Sequence, residues 1–161
     1  MSQPDQKRAL LRHTIATVAY RGGKTVRDAP PSFAAYSPDG SPRTPAKILA
    51  HMGDLFEWAL SQAKGEEAWH DSTPLEWERE VERFHATLDR LDEFLASDTP
   101  LAVSHELLFQ GAVADALTHV GQLAMLRRLA GAKMKSENYS RAEIVPGRVG
   151  RAQTPPRHEF E

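Results

Sequence analysis

The sequence contains no cysteine. A chain without cysteine forms no disulfide bond, offers no thiolate nucleophile of its own and binds no metal through sulfur. Any metal ligands must therefore be histidine, aspartate or glutamate side chains.

An excess of positive charge is also missing. The 161 residues include 20 Lys and Arg against 22 Asp and Glu, for a net charge of -2. Proteins that bind nucleic acid in general show a basic footprint that neutralises phosphates. We therefore expect no nucleic-acid partner.

Long hydrophobic runs are absent as well. No window approaches the roughly 20 apolar residues that a membrane-spanning helix needs. The opening residues, MSQPDQKRALLRH, carry charges throughout and lack the apolar segment of a signal peptide. The sequence thus predicts a cytoplasmic protein with no membrane partner.

Apolar residues recur at helical spacing in four segments, and no segment shows the alternation of a strand. The first predicted helix runs from Asp5 to about Tyr20, where Gly22 and Gly23 are expected to end it. The second has Thr44 as its N-cap, proline at its first position and Gly65 as its stop. The proline-rich residues between these two helices predict a long crossover loop.

The third helix is expected to start from a capping box formed by Thr73 and Glu76. Its apolar stripe is expected to face the core, and most of its acidic residues, on the other side, are interpreted as a solvated face. A short helical piece to about Leu108 and a long helix from Gly111 to Ala130 complete the pattern. The predicted fold is all-α, a four-helix bundle over residues 1–131 with an extended C-terminal arm over 132–161. We expect the arm to pack on the bundle or on a partner subunit.

The segment DALTHVGQL places polar side chains on one stripe of the last helix. At 100° per residue, Asp115, His119 and Gln122 align with Leu126 and Leu129, so the stripe is expected to face the bundle interior or a cavity in it.

The opposite side of the same helix is also apolar and includes Val113, Leu117, Val120 and Ala124. A helix with two apolar sides is expected to be buried on both. The bundle would bury one side, and the arm or a second subunit could bury the other. We therefore expect a homodimer.

On the second helix, His51 lies within the apolar arc between Leu55 and Trp58. His51, Asp115 and His119 can then converge from two helices. A buried aspartate must be paired, protonated or bound to a cation, and two imidazoles with one carboxylate are typical ligands of a divalent transition metal. The alternative is a structural hydrogen bond between Asp115 and His119 with no metal.

The other histidines are weaker candidates. His85 and His13 are interpreted as surface or half-buried residues of their helices. The three tryptophans, Trp58, Trp69 and Trp77, either line a pocket or belong to the core.

The stretches PAKILAHMGDLFEWAL and DALTHVGQLAMLRRLAG resemble the DinB-like (DinB/YfiT) superfamily of bacterial four-helix-bundle proteins, over roughly residues 5–131. That family carries one histidine on the second helix and an H-x-x-x-H-x-x-Q pattern on the last, and its three histidines bind a divalent metal, commonly nickel or zinc. His51, His119 and Gln122 match this pattern. Asp115 stands in the position of the family's first histidine and can ligate the same class of metals through oxygen.

The resemblance implies a metal-dependent enzyme that acts on a small molecule. Some relatives are transferases or isomerases that use a low-molecular-weight thiol such as bacillithiol or mycothiol. We therefore expect a thiol-dependent S-transferase or a hydrolase, with His51, Asp115 and His119 holding nickel, zinc, manganese or iron. Gln122 and Trp58 are expected to contact the metal's ligand or cofactor.

Two other interpretations stay open. The polar residues could form a buried hydrogen-bond network in a non-catalytic, dimeric stress-response or binding protein. The combination of two histidines and a carboxylate also occurs in non-heme iron oxygenases, although those enzymes usually build it on other folds.

Overall fold

The computed structural model describes residues 5–160. The regular secondary structure of these residues is helical, and they form no β-strand. The α-helices are α1 (Gln6–Val26), α2 (Pro45–Lys64), α3 (Trp77–Ala96), α4 (His105–Leu108) and α5 (Ala114–Leu129). A π-helical turn, Phe109–Val113, joins α4 to α5 without a break, and short 3-10 turns lie at Pro31–Ala35 and Tyr139–Arg141. The prediction of an all-α protein with four long helical segments is confirmed.

Helix α1 continues six residues beyond its predicted end at Tyr20. The prediction that Gly22 and Gly23 stop it was wrong, because both are buried inside the helix. A Cβ on Gly22 would lie 2.9 Å from the ring of Phe84 and 3.5 Å from Val120. Glycine is used here because α3 and α5 approach the backbone of α1 closely.

Helix α2 has the predicted boundaries. The Thr44 hydroxyl accepts a hydrogen bond from the backbone N–H of Lys47, and Pro45 occupies the first turn. Gly65 ends the helix with φ of 77°, a left-handed conformation that favours glycine. Local capping residues therefore fix the ends of the helix that carries His51.

Helix α3 begins at Trp77, so the predicted capping box at Thr73 was wrong. Glu76 occupies the N-cap position without a side-chain hydrogen bond. Instead, the carboxylate of Glu80 accepts from the backbone N–H of Leu75 at 2.8 Å. A residue inside the first turn therefore takes over the capping role.

Most acidic residues of α3 are exposed, as predicted, but two of them are not. Glu80 and Asp92 are buried, and each is paired with an arginine. Asp92 receives two hydrogen bonds from Arg12 of α1, at 3.0 and 2.9 Å. A buried carboxylate needs a cationic partner. The Asp92 pair links α3 to α1, whereas Glu80 pairs with Arg83 of its own helix.

The long helices pack in a closed order, α2 against α3, α3 against α1, α1 against α5 and α5 against α2. The hydrophobic core lies between them. Its largest fully buried side chains include Phe33, Phe56, Phe84, Leu88 and Leu123. Among residues 5–160, no helix combines the length and apolar character needed to cross a membrane.

The core-facing side of α5 differs from the predicted one. Val113 and Val120, assigned to a second apolar face, are buried against the rest of the chain, whereas Leu129 is 55% exposed. Arg127 is also buried and donates to the carbonyl oxygens of Thr25 and Arg27. Part of the helix face from which the homodimer was inferred is therefore buried within one chain, and the homodimer stays a prediction.

Residues 132–160 contact the outer sides of α1 and α3. Val149 is buried in the core, and its carbonyl oxygen accepts from Nδ1 of His85 at 3.0 Å. Glu137 accepts from the hydroxyl of Tyr20 at 2.6 Å and from Lys24 at 2.7 Å. These contacts attach the segment to its own chain on the side formed by α1 and α3.

Candidate metal centre

The structure brings His51, Asp115 and His119 together where α2 packs against α5. Nε2 of His51 lies 3.4 Å from Oδ2 of Asp115, and Nε2 of His119 lies 3.4 Å from Oδ1 of the same carboxylate. One ligand atom from each residue can be chosen so that all three lie within 4.8 Å of one another. The two imidazole rings are perpendicular, with centroids 4.9 Å apart. We call these residues the triad.

The triad lies in a cleft that is open to the surface, so the predicted shielding from bulk water holds for His119 but not for Asp115. The His119 side chain is 6% exposed, but His51 and Asp115 are 31% and 45% exposed. The expectation rested on a helical wheel that placed Asp115 together with Leu126 and Leu129 toward the interior. Because Asp115 is hydrated, the cost of burying its charge does not by itself require a cation.

Gln122 contacts His119 directly. Its Oε1 lies 2.9 Å from Nδ1 of the imidazole. When Nδ1 carries the proton, it donates to this carbonyl oxygen, and Nε2 then keeps its lone pair. That lone pair faces Asp115, in the direction from which a metal would be bound. Gln122, predicted to contact a ligand or cofactor, is thus placed to orient the imidazole of His119.

Arg43 is a residue of the site that the sequence did not indicate. Its Nη2 lies 3.3 Å from Nδ1 of His119. Arg43 belongs to the crossover loop, one residue before the N-cap of α2. No periodicity or motif points to a side chain in such a position, so only the folded chain reveals it.

Two tryptophans line the cleft beside the triad. Trp69 packs edge-on against the ring of His51 at 5.6 Å, and Trp58 packs edge-on against Trp69 at 5.8 Å. Trp58 is half-buried and donates its indole N–H to Glu67. Trp77 belongs to the core instead. The structure thus places Trp58, a predicted contact residue, near the triad but one side chain removed from His51.

Cavities open on both sides of the triad. One of about 560 Å³ has His51 in its wall together with Arg43, Lys47, Asp71 and Ser72. The other, of about 470 Å³, has Asp115 in its wall next to Trp58 and Leu55. Sites for small molecules commonly fall in this range of volumes. The cleft thus offers a polar compartment and an aromatic one, with the triad between them.

A buried ion-pair cluster holds one wall of the polar cavity. Asp54 of α2 accepts from the backbone N–H of Ser72 at 2.9 Å and from its hydroxyl at 2.7 Å. Arg83 of α3 donates to Asp54 and pairs with Glu57 and Glu80 at 3.1 Å. Burial opposes the charge of Arg83, but its bonds to Asp54 and Glu57 outweigh burial and raise the pKa of the guanidinium above its ordinary value. The cluster fixes the loop that carries Ser72.

The histidines of α1 and α3 are not part of the triad. His85 is buried beneath the C-terminal segment, which corrects its assignment as a surface or half-buried residue. Desolvation lowers the pKa of His85, and its bond to the Val149 carbonyl only partly offsets that effect. His13 is exposed on α1, as expected.

Comparison with models of protein families, with curated proteins and with solved structures found no match to this chain. Function is therefore inferred from the geometry of the triad and its cleft.

Proposed function

We propose that this chain is a divalent-metal-dependent enzyme in which His51, Asp115 and His119 hold the ion. The observation that carries the proposal is the meeting of both Nε2 atoms with one carboxylate, each at 3.4 Å. We further propose that the packing order of the long helices is that of a four-helix bundle of the DinB-like class.

The distances suit a first-row metal ion. Ligand atoms about 2.1 Å from a tetrahedral ion lie roughly 3.4 Å from one another. Both His–Asp separations have this value, although they end on different oxygens of Asp115. With one ligand atom from each residue, all three separations are at most 4.8 Å, so side-chain rotations would bring the ligand atoms to the distances of a bound ion. The donor set of two imidazoles and one carboxylate suits zinc, nickel, manganese or iron. Three protein ligands leave coordination positions open toward the cleft.

Residues next to the triad would orient its imidazole rings. Gln122 would hold His119 with Nε2 free for ligation, and Trp69, with Trp58 packed against it, would support the ring of His51. A bound divalent ion would lower the pKa of a thiol or water molecule beside it. Because the chain has no cysteine, a nucleophilic thiol would come from a low-molecular-weight thiol cofactor. The proposed reaction is S-transfer or hydrolysis of a small-molecule substrate.

A second candidate function has one observation in its favour. The contacts of Asp115 with both imidazoles are within hydrogen-bonding range without an ion. In this alternative, the triad is a polar network in a non-catalytic stress-response or binding protein. Mutation of His119 would then lower stability, and added metal would leave the melting temperature unchanged.

Metal titration separates the two candidates. Protein purified without a nickel column and stripped with a chelator is titrated with zinc, nickel, manganese and ferrous iron by calorimetry. We expect one ion per chain, and a rise in melting temperature of roughly 5–10 °C when free metal exceeds Kd about 100-fold. The variants His51→Ala, Asp115→Ala and His119→Ala should each lose this uptake.

The matched control is His13→Ala, which removes an exposed histidine of α1. Its uptake should equal that of the wild type. Failure of the wild type to bind any of the four metals, or equal losses in His13→Ala and His119→Ala, would reject the metal-dependent enzyme. If metal binds, consumption of bacillithiol or mycothiol in the presence of small electrophiles, compared between loaded and stripped protein, tests the S-transfer reaction.

A further inference from the structure

The polar cavity beside the triad has a basic wall. Arg43 and Lys47 line it on the side of the crossover loop and the first turn of α2, and both are exposed. Asp71 is the acidic residue among those lining it, so the wall is net positive. His51 forms part of the same wall, and a molecule in this cavity would therefore touch a triad residue.

Arg43 is the cationic side chain placed nearest the triad's buried imidazole. Its Nη2 lies 3.3 Å from Nδ1 of His119. The guanidinium presents several N–H donors in a planar fork, which matches the paired oxygens of a carboxylate or phosphate. Lys47 adds a second, more flexible positive charge on the same wall.

Gln122 and Arg43 cannot both form a hydrogen bond with Nδ1 of His119. If Nδ1 carries the proton, it donates to Oε1 of Gln122, and if it carries a lone pair, it accepts from Arg43. Ligation through Nε2 requires the first arrangement, because the lone pair must then be on Nε2. In that arrangement the guanidinium of Arg43 has no acceptor on His119 and is free to donate to a ligand in the cavity.

We propose that Arg43 and Lys47 bind the carboxylate or phosphate group of an anionic small-molecule substrate and place its reactive part at the triad. This inference rests on the proposed metal centre and names the substrate class of that same site. The cavity of about 560 Å³ accommodates a molecule of ordinary metabolite size. Since loading of the triad releases Arg43 from His119, the loaded protein binds the anion more tightly than the stripped protein does.

The test is an NMR titration of the full chain with inorganic phosphate in one arm and acetate in the other, each on zinc-loaded and zinc-free protein. Arg43→Gln should weaken binding of the preferred anion by about tenfold or more, because one charge-assisted hydrogen bond contributes about 1.5–3 kcal/mol. Lys47→Gln should weaken it by a smaller factor. The control, Lys64→Gln, removes an exposed lysine at the far end of α2 and should change nothing.

The outcomes separate this inference from the proposed function. Phosphate or acetate affinity that is unchanged in Arg43→Gln, or reduced equally by Lys64→Gln, overturns the anion site even if zinc binds with full stoichiometry. Failure of zinc to bind rejects the metal centre, whereas an Arg43-dependent anion affinity in the same zinc-free sample still supports the anion site. The difference between the two anions identifies which group the substrate carries.

Discussion

Removal of the Arg83 side chain tests the buried ion-pair cluster behind the cleft. The guanidinium is 16% exposed, and its partners Asp54 and Glu80 are 1% and 0% exposed. In Arg83→Met, Asp54 keeps its bonds from Ser72 and Glu80 keeps the bond from Leu75, but two buried carboxylates lose their cation. Breaking a buried pair in this way costs about 3–5 kcal/mol. That is a large share of a typical stability of about 5–15 kcal/mol.

The matched control is Arg90→Met on the same helix. Arg90 is 54% exposed and pairs with Glu57 at 2.9 Å. An exposed ion pair contributes about 0–1 kcal/mol. Urea denaturation at pH 7, followed by circular dichroism, gives both free energies of unfolding. A loss in Arg83→Met no larger than that in Arg90→Met would refute the reasoning about burial.

Two further predictions concern glycine packing and pH. Gly22→Ala should lower the free energy of unfolding in urea, because overpacking against the buried ring of Phe84 costs about 1–3 kcal/mol. Gly121→Ala, on an exposed part of α5 with open space around it, should raise that free energy by about 0.5–1 kcal/mol. Because burial lowers the pKa of His85, its neutral form stabilises the fold above pH about 6.5, and this stability is lost as pH falls toward the lower folded-state pKa. His85→Gln, measured with a chelator present, should therefore show a weaker loss of stability between about pH 7 and 5, despite losing the bond to Val149.

These predictions fail in recognisable ways. Equal effects of alanine at Gly22 and Gly121 would show that the close approach of α3 to α1 carries no energetic consequence. Parallel stability profiles for the wild type and His85→Gln would show that His85 is not the group that destabilises the fold in acid.

The parts of the fold governed by local residues were predictable. Helix α2 was predicted with its boundaries because Thr44 and Gly65 act on their own neighbours in sequence. The end of α1 was not predicted, because glycine at position 22 is explained by the close ring of Phe84, which is distant in sequence. The start of α3 failed for a similar reason, since Glu80 rather than Thr73 supplies the hydrogen bond near the helix start.

The candidate site shows the same division. Helical periodicity was enough to predict that His51 and His119 meet Asp115. Asp115 and His119 are four residues apart on one helix and share a face, and His51 lies in the apolar arc of α2. It could not give the exposure of Asp115, which depends on how deeply α5 sits between its neighbours. Arg43 was missed because a loop residue has no periodicity to mark its direction.

One divalent ion is proposed to bind among the three side chains of the triad. Anomalous scattering from crystals of the zinc-loaded protein would locate that ion. We expect one strong peak about 2.0–2.2 Å from Nε2 of His51, from an oxygen of Asp115 and from Nε2 of His119. Zinc bound elsewhere, with the triad retaining its His–Asp contacts and no peak between them, would contradict it.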